Sequence, residues 1–178
     1  MPEPIPGGPG TPPQVDPGRP LRQALAAGVI GIVFTFTRFM APAQPTGPWR
    51  AYDRWPFARR PPDAPLWRLT DAFAPLAHDA LDASTFGKWT PAPASRVAPT
   101  GRLVLAGVST DCCVLSTALA DAGAEVPVVA DACAGADGAS HAQALHLMDL
   151  YRPLVRVTTV AELLRTPATR LLGPHQGD

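Results

Sequence analysis

Charged side chains are scarce in this sequence, and lysine occurs only once. Asp, Glu, Lys and Arg make up 17% of the 178 residues, and the two signs balance at 15 each. The single lysine is Lys88, beside 14 arginines. A chain with zero formal charge and no basic stripe has little with which to attract nucleic acid or an anionic membrane. We therefore predict neither a nucleic-acid nor a membrane partner.

Cysteine and long apolar runs are also rare. Three cysteines are an odd number and too few for a secreted disulfide framework, which favours a reduced, cytoplasmic protein. No apolar run approaches the roughly 20 residues that a membrane-spanning helix needs. Hydrophobic residues nevertheless account for 46% of the chain, so we expect one domain with a buried core.

Proline, in contrast, is abundant and unevenly placed. The first 20 residues contain eight of the 23 prolines together with four glycines. Such a composition forms neither a helix nor a paired strand, because proline has no amide donor and glycine increases the entropy of the unfolded chain. We predict a disordered Pro/Gly-rich tail over residues 1–20, one folded domain over 21–166 and a flexible C-terminal tail over 167–178.

Beyond the tail, short apolar runs alternate with segments of helical periodicity. This order predicts a three-layer α/β/α fold of the Rossmann-like type, with a mostly parallel sheet and right-handed crossovers. The predicted strands are 29–36, 102–108, 126–132 and 154–159, and the predicted helices are 66–78, 110–124, 140–151 and 160–165. Residues 40–65, rich in proline and aromatic side chains, are predicted to form a loop.

Two adjacent cysteines, Cys112 and Cys113, begin the helix that follows the strand 102–108. Ser109 or Thr110 is the expected N-cap of this helix. A thiol in the first turn faces unpaired backbone N–H groups and the positive end of the helix dipole, and both favour the nucleophilic thiolate. The backbone N–H groups of Ser109, Thr110 and Cys113 are also candidates for binding a developing oxyanion.

The cysteine pair has other interpretations. A disulfide between adjacent helical cysteines would be strained, which also weakens a redox role, and a metal site needs more ligands than this stretch offers. Two small buried hydrophobes are a common role for cysteine. From the residues alone, a nucleophile and a buried structural pair both stay open.

The run LVLAGVSTDCCVLSTALADAGAEVPVVADACAGADGASHAQAL resembles the C-terminal half of the isochorismatase-like cysteine hydrolases. Their signature is an apolar strand, Gly-Val, a Ser/Thr pair, and then Thr-Asp-x-Cys-Val at the start of a helix. VFTFTRF, residues 33–39, is similar to the second strand of the family. The resemblance covers residues 22–165.

The resemblance implies an activity and assigns a nucleophile. Family members hydrolyse a small amide or a related acyl or vinyl-ether substrate, so we expect a small-molecule substrate. By the match, Cys113 and not Cys112 occupies the nucleophile position. The family also has a cis peptide bond just before the motif, which would fall between Val108 and Ser109.

The family's active site also contains a lysine, which keeps the thiolate charged. It normally lies in a stretch of the form Asp-Lys-x-x-Tyr/Phe-Ser-Ala-Phe, which resembles DASTFGKW, residues 82–89. Ala83 stands at the usual lysine position, and Lys88 follows five residues later, about 17 Å along an extended chain. We expect Lys88 to be the partner of Cys113 if the loop folds back, and a solvated loop charge otherwise.

The third member of the family's site is an Asp at the end of an opening strand, and this strand is apparently lacking here. Asp16 lies in QVDPG, with no apolar strand before it. One explanation is an altered N-terminus that replaces the strand. The other is a catalytically inactive module of the same fold that serves assembly or ligand binding. The family pattern after residue 29 favours the first.

Other residues are weaker candidates. Nicotinamidase-type members bind a metal through an Asp and two His after the second strand, but TRFMAPAQP has no His, so we predict no metal and no cofactor. Arg38 is a candidate for binding a substrate carboxylate, and Trp89 for forming a pocket wall. Alternatively, Arg38 is an ordinary surface residue and the aromatic residues form a subunit interface of a homo-oligomer. Asp131 and His141 are expected to be structural.

Overall fold

The computed structural model describes residues 35–39, 44–52, 61, 63–65, 68–69, 71, 73–76, 79–97, 103–120 and 125–165. The predicted tails, 1–20 and 167–178, lie outside the described residues, as do residues 29–34 of the first predicted strand. The elements in chain order are β1 (Thr35–Phe39), α1 (Trp49–Tyr52), a 3-10 turn (Ala74–Leu76), β2 (Asp79–Ala83), α2 (Pro91–Val97), β3 (Leu105–Val108), a π-helical turn (Thr110–Val114), α3 (Leu115–Ala118), β4 (Val126–Ala134), α4 (Gly138–Asp149), β5 (Val155–Thr158) and α5 (Val160–Arg165).

Every strand pair in the described residues is parallel. β1 pairs with β2, and β3, β4 and β5 form a three-stranded sheet in that order. Parallel neighbours need a crossover connection, which α3 supplies between β3 and β4 and α4 supplies between β4 and β5. The α/β class with a mostly parallel sheet is therefore confirmed. Within the described strands the two sheets are not joined by any pairing between β1 and β3.

The central strand β4 carries apolar side chains on both of its faces. Val126 and Val128 pack in one cluster with Met148 of α4. Val129 packs in another cluster with Leu163 of α5. Successive strand residues point to opposite faces, so helices cover both faces of the sheet, as a three-layer fold requires. Fully burying each of these side chains contributes about 1.5–3 kcal/mol.

The predicted helix over residues 66–78 is wrong in its described part. Of its described residues, only Ala74, Pro75 and Leu76 are helical, and they form a single 3-10 turn. The physical reason lies in Pro75, which lacks an amide donor and whose ring would clash with the carbonyl of residue 71 in an α-helix. The apolar spacing of this segment indicated a helix, but proline prevents one.

Three observed elements, α1, β2 and α2, are not among the predicted ones, and α1 lies within residues 40–65, which are predicted to form a loop. β2 has the sequence DALDA, and Asp and Ala are both depleted in strands. It forms because it pairs in parallel with β1, in a register that places Phe39 opposite Ala83. α2 begins with Pro91, which suits the first position of a helix because no amide donor is needed there.

The predicted buried strand over residues 102–108 is shorter and more exposed than expected. β3 spans Leu105–Val108, and Val108 is 52% exposed. β3 is the edge of its sheet in the described structure, so only one side of it meets a neighbouring strand. Gly107 has φ of +125°, a conformation that side-chain-bearing residues rarely adopt, so glycine is required just before the turn into the helix.

Candidate active site

The two adjacent cysteines lie in the turn that joins β3 to α3. The peptide bond between Val108 and Ser109 is cis, as the resemblance implies. Ser109 is the N-cap, with an extended backbone. The N–H groups of Cys112 and Val114 both donate to the Ser109 carbonyl, at 3.2 and 3.1 Å. The bond from Val114 spans five residues and makes this turn π-helical, a geometry that is rare and frequent at functional sites.

Two side chains anchor the π-helical turn to the loop between β4 and α4. Asp111 accepts hydrogen bonds through Oδ1 from the Ser109 hydroxyl and from the Ala136 N–H, the latter at 2.9 Å. Thr110 is fully buried, and its hydroxyl lies 2.9 Å from Nδ1 of His141. α4 and the loop before it therefore hold the turn that carries the cysteines in place. His141 takes part in this through its contact with Thr110.

Gly135 provides a test of this anchoring. A Cβ at this position would lie 2.9 Å from Asp111 Oδ1 and 2.9 Å from the backbone nitrogen of His141, both too close. We expect Gly135→Ala to lower the free energy of unfolding by about 1–3 kcal/mol, because the π-helical turn or α4 must move. Urea unfolding would measure this change. Gly138→Ala is the matched control, since nothing lies within 4 Å of its Cβ position; an equal effect there would contradict the prediction.

Lys88 reaches the cysteine turn because the chain folds back after β2. Its backbone N–H donates to the Thr117 hydroxyl at 2.9 Å, and that hydroxyl donates to the Cys113 carbonyl at 2.6 Å. Its ammonium Nζ donates to the Thr85 carbonyl at 2.7 Å. Only 7% of Lys88 is exposed, so it is not a solvated loop charge. A Cβ on the neighbouring Gly87 would lie 3.4 Å from the Ser116 carbonyl, which shows how closely this loop packs.

The surroundings of Cys113 favour its thiolate. A hydrogen bond from Cys112 is the largest cause, followed by the Lys88 charge and a backbone hydrogen bond from Ser109. Together they lower the pKa of Cys113 from 9.0 to about 6, although burial and the Asp111 charge act in the opposite direction. Cys113 is therefore largely ionised at neutral pH.

Cys112 and Cys133 stay protonated in the same structure. The hydrogen bond with Cys113 and burial raise the pKa of Cys112, because two thiolates in contact cannot both be ionised cheaply. Burial raises the pKa of Cys133 to about 11. All three cysteines are free thiols. Of the three, Cys113 alone has a lowered pKa. Its role as the nucleophile stays a prediction.

The pKa of Lys88 is also shifted. Burial lowers the pKa of Lys88, while the charges of Cys113 and Cys112 act to raise it. A buried ammonium is costly unless a negative group faces it. The charge of Lys88 lowers the pKa of Cys113, and the charge of Cys113 acts to raise that of Lys88, so each charge favours the other. That Lys88 is the catalytic partner of Cys113 stays a prediction.

Three aromatic rings form a cluster with the loop that carries Lys88, and only part of this arrangement could be expected from the sequence. Trp49 and Tyr52 of α1 contact each other edge to face, with ring centroids 5.6 Å apart. Phe86, two residues before Lys88, contacts Trp49 at 5.2 Å and Tyr52 at 5.0 Å. The aromatic residues of the proline-rich segment 40–65 are visible in the sequence, and the three-residue spacing of Trp49 and Tyr52 is typical of a helix. Nothing local pairs that segment with Phe86.

The structure says less about the roles of the other predicted residues. Arg38 lies in β1 in register with Asp82, and Trp89 follows Lys88 and is half-buried. Their roles in substrate binding stay predictions. Asp131 accepts a hydrogen bond from the Val160 N–H at 2.9 Å, which caps the start of α5. The described residues contain no group of three or more His, Cys, Asp or Glu side chains suited to a metal ion.

None of the helices in the described ranges has both the length and the apolar character required to span a membrane.

An α/β fold with a cysteine at a strand-to-helix turn and a buried lysine beside it agrees with the comparison with known families. The model of the Isochorismatase domain matches residues 21–162. Because this match covers most of the chain, the protein belongs to the isochorismatase family, whose members are generally hydrolases of small molecules. A search of the curated proteins gave no match.

Solved structures share the fold. An isochorismatase-like hydrolase from Alkaliphilus metalliredigens has a TM-score of 0.64 at 18% identity, over 83% of this chain and 80% of that one. The pyrazinamidase/nicotinamidase of Streptococcus mutans has a TM-score of 0.54 at 22% identity, over 76% and 80%. A nicotinamidase/pyrazinamidase from Bacillus subtilis has a TM-score of 0.52 at 20% identity, over 78% and 80%. At these identities the likeness shows the fold alone.

Proposed function

We propose that this protein is a cysteine hydrolase in which the Cys113 thiolate attacks a small amide or a related acyl substrate. The observation that carries the proposal is the burial of Lys88, the chain's only lysine, beside Cys113. A buried ammonium has a high desolvation cost, and the thiolate offsets it. A purely structural cysteine pair would not need this charge.

The proposed reaction has two stages. The Cys113 sulfur adds to the carbonyl carbon, and the tetrahedral intermediate collapses to a thioester as the amine leaves with a proton. Water then attacks the thioester carbon, which releases a carboxylic acid and regenerates the thiol. The Lys88 ammonium keeps Cys113 ionised before the attack. Backbone N–H groups of the turn between Ser109 and Cys113 are candidates for stabilising the oxyanion.

An inactive module of the same fold is the second candidate. Within the described residues, the carboxylate whose charge acts on Cys113 is that of Asp111, and its Oδ1 already accepts from Ser109 and Ala136. This leaves the proton-transferring acid of the family unassigned in the described structure. The cysteine's reactivity separates the two candidates.

The first test is the rate of alkylation by iodoacetamide as a function of pH, resolved for each cysteine by peptide mass spectrometry. A lowered thiol pKa means that the reactive thiolate persists down to that pKa and disappears below it. We expect the Cys113 rate to rise through pH 6 and to level off above pH 7, while Cys112 and Cys133 stay slow below pH 8. A Cys113 midpoint near 9, or full protection of Cys113, would favour the inactive module.

A further inference from the structure

The Thr117 hydroxyl joins the two segments of the chain that carry the proposed site. Thr117 lies in α3, four residues after Cys113, and is only 5% exposed. Its hydroxyl donates to the Cys113 carbonyl at 2.6 Å and accepts from the backbone N–H of Lys88 at 2.9 Å. These two hydrogen bonds therefore link the backbones of two residues that lie 25 positions apart in the sequence.

The two bonds of this hydroxyl differ in what they indicate. A threonine in a helix often donates to the carbonyl four residues before it, so the bond to Cys113 is ordinary by itself. A hydroxyl has one proton and two acceptor lone pairs. Because the proton is used within the helix, the oxygen meets the loop as an acceptor, and the buried N–H of Lys88 is the donor that it receives. A buried N–H without an acceptor is costly, so this bond holds Lys88 in place.

The loop that carries Lys88 has its own internal bonds, and these do not attach it to α3. The Thr85 hydroxyl donates to the Gly87 carbonyl at 2.8 Å, and the Lys88 ammonium donates to the Thr85 carbonyl at 2.7 Å. Both bonds shape the loop and orient the ammonium within it. The bond from Lys88 to Thr117 and the close packing of Gly87 against Ser116 attach the loop to the helix.

We propose that the Thr117 hydroxyl is a positioning group of the site: it holds the backbone of Lys88 against that of Cys113 and so keeps the ammonium where its charge acts on the thiol. In this role Thr117 contacts no substrate and transfers no proton. Its effect reaches the nucleophile through Lys88, whose charge lowers the pKa of Cys113. The inference rests on the proposed function, in which Lys88 keeps Cys113 ionised.

The test is the pH dependence of Cys113 alkylation by iodoacetamide in Thr117→Val, which keeps the shape of threonine without its hydroxyl. We expect the midpoint to rise by about half a unit to one unit, part of the roughly 1–3 units that a nearby opposite charge contributes. From a midpoint near 6, a rise of one unit slows alkylation at pH 6 about fivefold. Thr117→Ser keeps the hydroxyl and should restore the wild-type midpoint. Thr158→Val is the matched control, since Thr158 is 3% exposed and its hydroxyl donates to Glu162; its midpoint should not move.

The double variant Lys88→Met, Thr117→Val shows whether Thr117 acts through the lysine. When the ammonium is absent, Thr117→Val should move the midpoint no further. A rise of the same size in this background would overturn the inference, because Thr117 would then act on the cysteine turn directly. Equal rises in Thr117→Val and Thr117→Ser would also overturn it, as would a loss of thermal stability in Thr117→Val with an unmoved midpoint.

Two measurements on the wild-type protein complete the test. The Lys88 amide should exchange with solvent deuterium at least about 100-fold more slowly than in the unfolded chain, because its acceptor is a buried hydroxyl. An unprotected amide would overturn the inference even if Thr117→Val does not fold. A wild-type Cys113 midpoint near 9 would overturn the proposed function and this inference with it, whereas a midpoint near 6 that Thr117→Val leaves unchanged would overturn the inference alone.

Discussion

Replacing Cys113 with serine is expected to reduce hydrolysis of amides and activated esters by at least about 10⁴-fold, because the substitution removes the proposed thiolate nucleophile and a serine hydroxyl is not ionised at neutral pH. The measurement is kcat/KM for p-nitrophenyl acetate and for a panel of small amides. Serine is close to cysteine in size, so the thermal unfolding midpoint should stay within a few degrees. This comparison separates loss of the nucleophile from loss of the fold.

Cys112 supplies the matched controls. Cys112→Ser keeps a hydroxyl that can donate to the Cys113 sulfur, so its activity should lie within about tenfold of the wild type. Cys112→Ala removes the hydrogen bond that contributes most to the low pKa of Cys113. Its alkylation midpoint should therefore move upward from pH 6. If Cys112→Ser were as inactive as Cys113→Ser, the assignment of the nucleophile would be wrong.

Replacing Lys88 with methionine is expected to have the second largest effect. Methionine fills a similar volume without a charge, so the Cys113 thiolate loses its cationic neighbour. A nearby opposite charge changes a pKa by about 1–3 units, and the Lys88 charge is among the causes that lower the pKa of Cys113, so we expect the alkylation midpoint of Cys113 to rise by at least one pH unit. At pH 7 the rates of alkylation and of ester hydrolysis should fall about twofold for a rise of one pH unit, and about 10- to 100-fold for a rise of two to three units.

The stability of Lys88→Met distinguishes a functional lysine from a structural one. Replacing a buried charge by a well-packed apolar side chain is often neutral or stabilising, so the unfolding midpoint should not fall. Lys88→Arg is the informative comparison, because a planar guanidinium does not reproduce the hydrogen bond of the compact ammonium to the Thr85 carbonyl. A large loss of stability in Lys88→Met, with an unchanged Cys113 midpoint, would show that the lysine serves the fold.

The sequence by itself determined the class of fold and the position of the cysteine turn. Apolar runs of strand length alternating with helical segments predict a parallel α/β sheet, and β4, α4, β5 and α5 lie close to their predicted positions. The Thr-Asp-x-Cys-Val motif follows β3 directly, so local sequence is enough to place Cys113 at the start of a helix. These features can be read from local apolar periodicity and from a short motif.

Only the tertiary structure decided which groups surround that cysteine. Lys88 lies 25 positions before Cys113 and five after the residue that matches the family's lysine, and its approach depends on a loop that packs against Thr117. The rings of Trp49 and Tyr52 come from a still more distant helix and pack against Phe86 of the same loop. The low pKa of Cys113 is a property of this assembly, because charge, burial and hydrogen bonding act through space. Sequence spacing cannot encode where a folded-back loop places an ammonium group.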